Sequence, residues 1–428
     1  MGLYQLARRV NAQVKKVKKY RSGRVLSPVR RIERVYPPAE GRFVAMTFDD
    51  GPTTLPTTSD PAKGLTDSLL DTLARYGAKG TFDVIGTTAD NYPDEEGWRG
   101  DFTWSGVHFD HYPRYGDDAM AGAVNRPELI RRILSEGHEI TSHTYSHRLW
   151  GPMRAVYGKR THFTSLGEVT DDLRRLDSYL AEAFGYHVRL SRPPHYIDRI
   201  PDGADSYDAY RVMGYQYLAA SFDGAGWQPL ESYEAEVEAM VEPLRRALEE
   251  NPDALNGQII FQKDGCNMNE RTPVADALGR QLELLAQYGY RVVTVSELLA
   301  RSPFEDLPNN CAQIDDIRYL LSRGQVIGYR SNIFAPQRRL TADEFMVMAA
   351  NPAIFRAERA MKPGEIKRLA REYAAAHGLT VKKCSGDELL ALACAHGIDV
   401  KADDLRGKTS LTRLEVIPLL RKIVEKRI

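Results

Sequence analysis

The stretch Phe43-Val44-Ala45-Met46-Thr47-Phe48-Asp49-Asp50-Gly51-Pro52 constrains the fold of this chain more than any other. Phe43 to Thr47 are apolar or β-branched and predict a buried strand. Two adjacent carboxylates follow, and Gly51-Pro52 then stops the strand and turns the chain. Successive residues on an extended strand face opposite ways, so Asp49 and Asp50 can do different work. The pair alone is equally a turn that merely leaves a strand. It gains meaning because the carboxyl end of a parallel strand is where α/β enzymes hold their chemistry.

Downstream, helical and extended patterns alternate. Leu65, Leu69, Leu70 and Leu73 predict a helix ending near Gly77, and residues 80–86 a second strand. Helices are expected at 127–136, 166–184, 232–250, 273–288 and 296–301. Strands are expected at 188–191, 217–222, 257–261 and 290–295. Strand and helix alternating over some 260 residues predict a parallel sheet, most simply a distorted (β/α) barrel. Residues 87–125 fit no periodic template and hold Trp98, Trp104, His108, Asp110 and His111, as an ordered lid would. Trp104 could simply cover the barrel mouth.

Polar residues gather just after the strands. His143 and His147 are four apart; on a helical turn both imidazoles would share one face and suit a zinc ion. Two histidines and a carboxylate leave a coordination position open. Arg192-Pro193-Pro194-His195, Asp223 to Trp227 and Lys263-Asp264 each follow an expected strand.

These segments resemble the NodB-homology polysaccharide deacetylases (carbohydrate esterase family four) over residues 41–301. Thr47 to Pro52, His143 to His147 and Arg192-Pro193-Pro194 match that family's first three motifs, and Gly80-Thr81-Phe82, Gly137 to Ile140 and Gly289 to Leu298 match further segments. The resemblance implies that Asp50, His143 and His147 hold a divalent metal, most often zinc, with cobalt or nickel as alternatives. It implies Asp49 as general base, Arg192 as its partner, the backbone N–H of His195 at the oxyanion, and Pro194, Asp223 and Trp227 at the substrate, with Trp104 a further candidate. The expected activity is removal of N-acetyl groups from an amino-sugar polysaccharide such as peptidoglycan or a chitin-like polymer. Hydrolysis of another C–N bond, or a metal-holding carbohydrate-binding protein without turnover, are the alternatives. Two positions depart from the family pattern: Gly226 stands where Asp usually precedes Trp, and Lys263 where His usually precedes Asp. The usual acid pair is therefore absent, and Lys263 or His195 becomes the candidate proton donor.

Residues 302–428 predict a small all-α module of two repeats, the second degenerate, that resembles S-layer homology repeats. Leu340-Thr341-Ala342-Asp343-Glu344-Phe345 is echoed by Leu411-Thr412-Arg413-Leu414-Glu415-Val416. The resemblance implies a secondary cell-wall polymer as partner through residues 303–424, with Arg413 at the gripping position; a packing module without that role is the alternative. At the other end, residues 1–42 hold twelve Lys/Arg against two Asp/Glu. Leu3, Leu6, Ala7, Val10, Val14 and Val17 predict a basic amphipathic helix, followed over 20–42 by a linker, so that residues 1–40 form their own segment. The start lacks the apolar core of a secretory signal, while the family resemblance favours the cell envelope. Four scattered cysteines form no Cys-x-x-Cys metal pattern, no apolar run reaches the ~20 residues of a membrane span, and no nucleic-acid partner is expected.

Overall fold

The computed structural model describes residues 29–35, 41–87, 103–104, 107–108, 120–152, 162–301, 304, 306–307, 311–323, 325–326, 333–350 and 363–426. The expected N-terminal helix, Trp98, Asp110 and His111 lie outside them, as does most of the 87–125 insertion. Of Trp104 and His108 only the backbone is described, in a short antiparallel pair Thr103–Trp104 and Val107–His108. The chain forms two compact units, residues 31–302 and residues 1–30 with 303–428.

The first unit is built on one curled sheet. Its strands in chain order are β1 (Arg31–Ile32), β2 (Arg42–Asp49) and β3 (Thr81–Val84), then β6 (Glu139–Ser142) after the short pair β4 and β5 in the insertion. β7 (Leu190–Ser191), β8 (Gln216–Leu218), β9 (Phe222–Asp223), β10 (Ile259–Lys263) and β11 (Tyr290–Val293) follow. The spatial order is β1-β8-β7-β6-β3-β2-β10-β9, with β11 also on β2, and every pairing within this sheet is parallel. The path ends at β1 and β9, so the distorted (β/α) barrel expected takes the form of a curled parallel half-barrel among the described residues. Two departures have simple causes. Arg31–Ile32, within the stretch read as a linker, extends the sheet by pairing with Tyr217 and Leu218. The strand expected at 217–222 is two strands, because the backbone changes neighbour between them: Ala219 N–H donates to Ile32 O and Ser221 N–H to Ile259 O.

β2 runs through the middle and is buried from Phe43 to Asp49. Its pairs β3 and β10 flank its carboxyl half, while β11 flanks its start. Amphipathic helices cover the sheet, Leu65–Arg75, Pro127–Ser135, Leu166–Phe184, Tyr233–Glu250 and Val274–Gln287 among them. Ser165 and Ser232 cap two of these by accepting from Glu168 N–H and Ala235 N–H. A helix that apolar periodicity misses, Ser206–Met213, is opened by an Asp205/Asp208 capping box.

In the second unit the two similar segments make similar local bonds. Thr341/Glu344 forms a capping box before Ala342–Ala349, and Thr412 and Glu415 repeat its reciprocal bonds before Ile417–Glu425. The two matching segments lie against one another: Leu340 N–H donates to Leu411 O at 2.9 Å and Arg413 N–H to Arg338 O at 2.8 Å. Phe304, Phe334, Phe345, Leu411 and Leu420 fill the core between them. Arg413 is 3% exposed, its guanidinium 4.7 Å from the Phe334 ring centre. Helix Pro363–Ala376, in the stretch that fits neither copy, completes the unit.

Phe82 is fully buried, its ring 5.0 Å from that of Phe48 beneath the carboxyl end of β2. Phe82→Ala is expected to cost about 3–5 kcal/mol. Because all four tryptophans lie in residues 31–302, the loss will show as an earlier urea midpoint by tryptophan fluorescence.

Candidate metal centre

Sheet register sets three ionisable residues side by side. Asp49 at the end of β2 is level with Asp83 on β3 and with Lys263 on β10. One residue later Asp50 has a φ of 81°, outside the strand conformation. The alternation expected of neighbouring residues therefore fails here, and both carboxylates approach the same imidazole: His143 Nε2 is 3.4 Å from Asp50 Oδ1 and 4.0 Å from Asp49 Oδ2. The turn itself demands glycine, since a Cβ at Gly51 would stand 2.0 Å from Asp264 Oδ2. Asp264 is buried, accepts from Thr66 Oγ1 at 2.8 Å, and has its carboxyl pushed up to about 8 by that burial.

His143 and His147 do not share a helical face. They bracket a loop in which Thr144 and His147 have φ of 76° and 54°. Asp172, buried on the inward face of helix Leu166–Phe184, holds this loop by accepting from Tyr145 N–H at 2.8 Å and Ser146 N–H at 3.3 Å. His147 N–H donates to Thr144 Oγ1. The result still brings the imidazoles together, with ring centres 4.9 Å apart.

Asp50 Oδ1 lies 3.4 Å from His143 Nε2 and 3.1 Å from His147 Nε2. Two ligands each ~2.1 Å from one ion, at tetrahedral or octahedral angles, stand about 3.0–3.4 Å apart, so this donor set fits a single divalent cation. His143 is oriented from behind: its Nδ1 is 3.0 Å from both Asp83 Oδ2 and Arg192 O. That places Nε2 as the nitrogen that faces Asp50, the arrangement usual for a metal-ligating histidine. Asp83 is itself fixed by Thr141 Oγ1, which donates at 2.6 Å.

Asp49 is 2% exposed and its Oδ1 accepts from the Arg192 guanidinium, whose two terminal nitrogens also reach Thr47 Oγ1 at 3.1 Å. Burial raises the Asp49 carboxyl to about 6; Arg192 opposes this and Asp83 adds to it. A carboxylate in that range can take a proton near neutrality. Lys263 Nζ is 2.8 Å from Asp50 Oδ2. The His195 ring centre is 5.5 Å from that of His147, on a turn where His195 and Tyr196 have φ of 53° and 55° and Pro194 is buried.

Residues 37–217 match the family model described as polysaccharide deacetylase. That match falls within the first unit, residues 31–302. The chain is 27% identical over 264 residues to the peptidoglycan-N-acetylglucosamine deacetylase of Bacillus cereus, covering 61% of this chain and 90% of that protein. It is 24% identical over 261 residues to the chitin deacetylase of Colletotrichum lindemuthianum, covering 61% and 81%. The solved structure of that chitin deacetylase aligns at a TM-score of 0.43 with 22% identity, covering 66% of this chain and 95% of that one.

Within the first unit, the residues expected at the substrate divide. Asp223 is exposed and accepts from Trp227 Nε1 at 3.2 Å and from Ala225 N–H at 2.9 Å, which ties the loop after β9 together. Gly226, in place of the family's Asp, lies where a Cβ would meet Met240 Cε at 2.9 Å. Asp83 and Asp172 were not singled out from sequence. The available signals were a lone carboxylate in the apolar strand Thr81-Phe82-Asp83-Val84-Ile85, and an Asp on the same helix face as Val169, Leu173 and Leu176. Replacing Asp83 by Asn is expected to weaken zinc binding about 10–100-fold, read by titration calorimetry of the full chain, because the His143 anchor loses its charge.

Proposed function

We propose that this chain is a divalent-metal-dependent hydrolase that removes N-acetyl groups from an amino-sugar polysaccharide of the peptidoglycan or chitin type. The observation that carries this reading is the convergence of Asp50, His143 and His147 beside an Asp49 held by Arg192. The similarity to peptidoglycan and chitin deacetylases supports the substrate class.

Asp50, His143 and His147 would hold the cation, zinc by preference, with cobalt or nickel compatible with nitrogen and oxygen donors. When bound, such a cation polarises an amide carbonyl and acidifies water. Asp49 then takes a proton from the attacking water, and Arg192 keeps its carboxylate aimed and charged. The His195 N–H donates to the oxygen on which negative charge develops. The departing amine needs a proton. The Lys263 ammonium already donates to Asp50, so we assign delivery to the His195 imidazole, which is half-buried at the edge of the cluster. Pro194 shapes the turn that carries His195, while Asp223, Trp227 and Trp104 are assigned to the sugar chain. No polymer contact is assigned to Arg413, which packs on Phe334.

Acetate release from N-acetylated chito-oligosaccharides and from peptidoglycan tests the reading. Release should stop with chelator and return with zinc or cobalt. Asp49→Asn should lower kcat at least ~10²-fold, and His195→Phe by a similar factor, the usual range for losing a general base or acid. Release indifferent to chelator and to Asp49→Asn would contradict the proposal.

A further inference from the structure

The proposed mechanism leaves one buried cation without a role. Lys263 is 5% exposed, sits on the rigid strand β10 level with Asp49, and its ammonium is 2.8 Å from Asp50 Oδ2. Asp50 Oδ1, the other oxygen of the same carboxylate, is the one that faces His143 and His147. The two oxygens therefore face different partners, an ammonium on one side and two imidazoles on the other.

From this geometry we infer that Lys263 is a positioning residue that restricts Asp50 to one-oxygen coordination and weakens the hold of the site on its cation; this rests on the reading that Asp50, His143 and His147 bind a divalent metal. Two arguments carry it. The first is charge. Asp49, Asp50 and Asp83 bring three carboxylates to the cluster, and Arg192 and Lys263 return two positive charges, so apart from the imidazoles, which are neutral as metal ligands, these side chains sum to one net negative charge. Adding a dication makes it net positive, and in a water-poor site that repulsion is poorly screened. Without Lys263 the loaded site would be neutral. The second is geometry. A carboxylate with both oxygens available can bind bidentately and fill the position that a substrate oxygen or water needs. An ammonium on Oδ2 prevents that. The site thus gives up affinity and keeps a coordination position open.

Cobalt titration of the full chain tests this, with calorimetry for affinity and visible absorption for coordination. Lys263→Met, close in length and uncharged, should bind Co²⁺ at least tenfold more tightly than wild type and give a weaker visible band, the mark of a higher coordination number. Lys263→Arg should stay within a few-fold of wild type, which separates charge from packing. Lys263→Gln is the second uncharged variant if Lys263→Met does not fold, and it should tighten binding likewise. If wild type binds one equivalent of cobalt and the uncharged variants bind no more tightly, the inference is overturned while the metal site stands. If neither wild type nor the uncharged variants bind cobalt, the metal-holding reading falls and the inference with it.

Discussion

Three carboxylates crowd the buried carboxyl ends of two neighbouring strands, and the rest of the first unit is arranged to make that tolerable. Asp49, Asp50 and Asp83 stand within one cluster, with Asp49 and Asp83 almost wholly removed from solvent. Uncompensated charges of this kind cost several kcal/mol each. Compensation comes from distant parts of the chain: Arg192 after β7, Lys263 at the end of β10 and His143 after β6. Each pair joins strand ends that the sheet already places close together, so the electrostatics and the topology demand the same arrangement.

That arrangement separates the two adjacent aspartates by partner rather than by the face of the strand they leave. Asp49 ends the strand and is locked to Arg192 and, through the same guanidinium, to Thr47. Asp50 has already turned out of the strand and is shared among two imidazoles and an ammonium. In the proposed mechanism one carboxylate is thereby kept for proton transfer and the other for holding the cation. The proposed mechanism depends on that division, and the inferred role of Lys263 refines it.

Much of this was legible in the sequence because it rests on local signals. The helices Leu65–Arg75, Leu166–Phe184 and Tyr233–Glu250 follow from apolar spacing. The Asp-Asp turn, the histidine pair and Arg192 follow from their places after strands. What escaped depends on long-range partners. The split of the 217–222 strand is set by β1 and β10, neither near it in sequence. The histidine loop is irregular because Asp172 supplies its backbone with acceptors that a helix would have supplied itself. Asp83 becomes meaningful only when register places it beside Asp49 and behind His143. In the second unit the Thr-x-x-Glu of each segment was visible, but the capping box at Thr341 and the burial of Arg413 required the fold.

The central claim is that a single cation is held by two imidazoles and one carboxylate at the end of β2. X-ray absorption at the zinc edge of the zinc-loaded full chain tests it most directly. The account predicts one zinc per chain, two imidazole nitrogens among light-atom neighbours near ~2.0–2.2 Å, and no sulfur in the shell. A zinc–sulfur distance near ~2.3 Å, or a spectrum unchanged when His143 and His147 are both replaced by alanine, would contradict it.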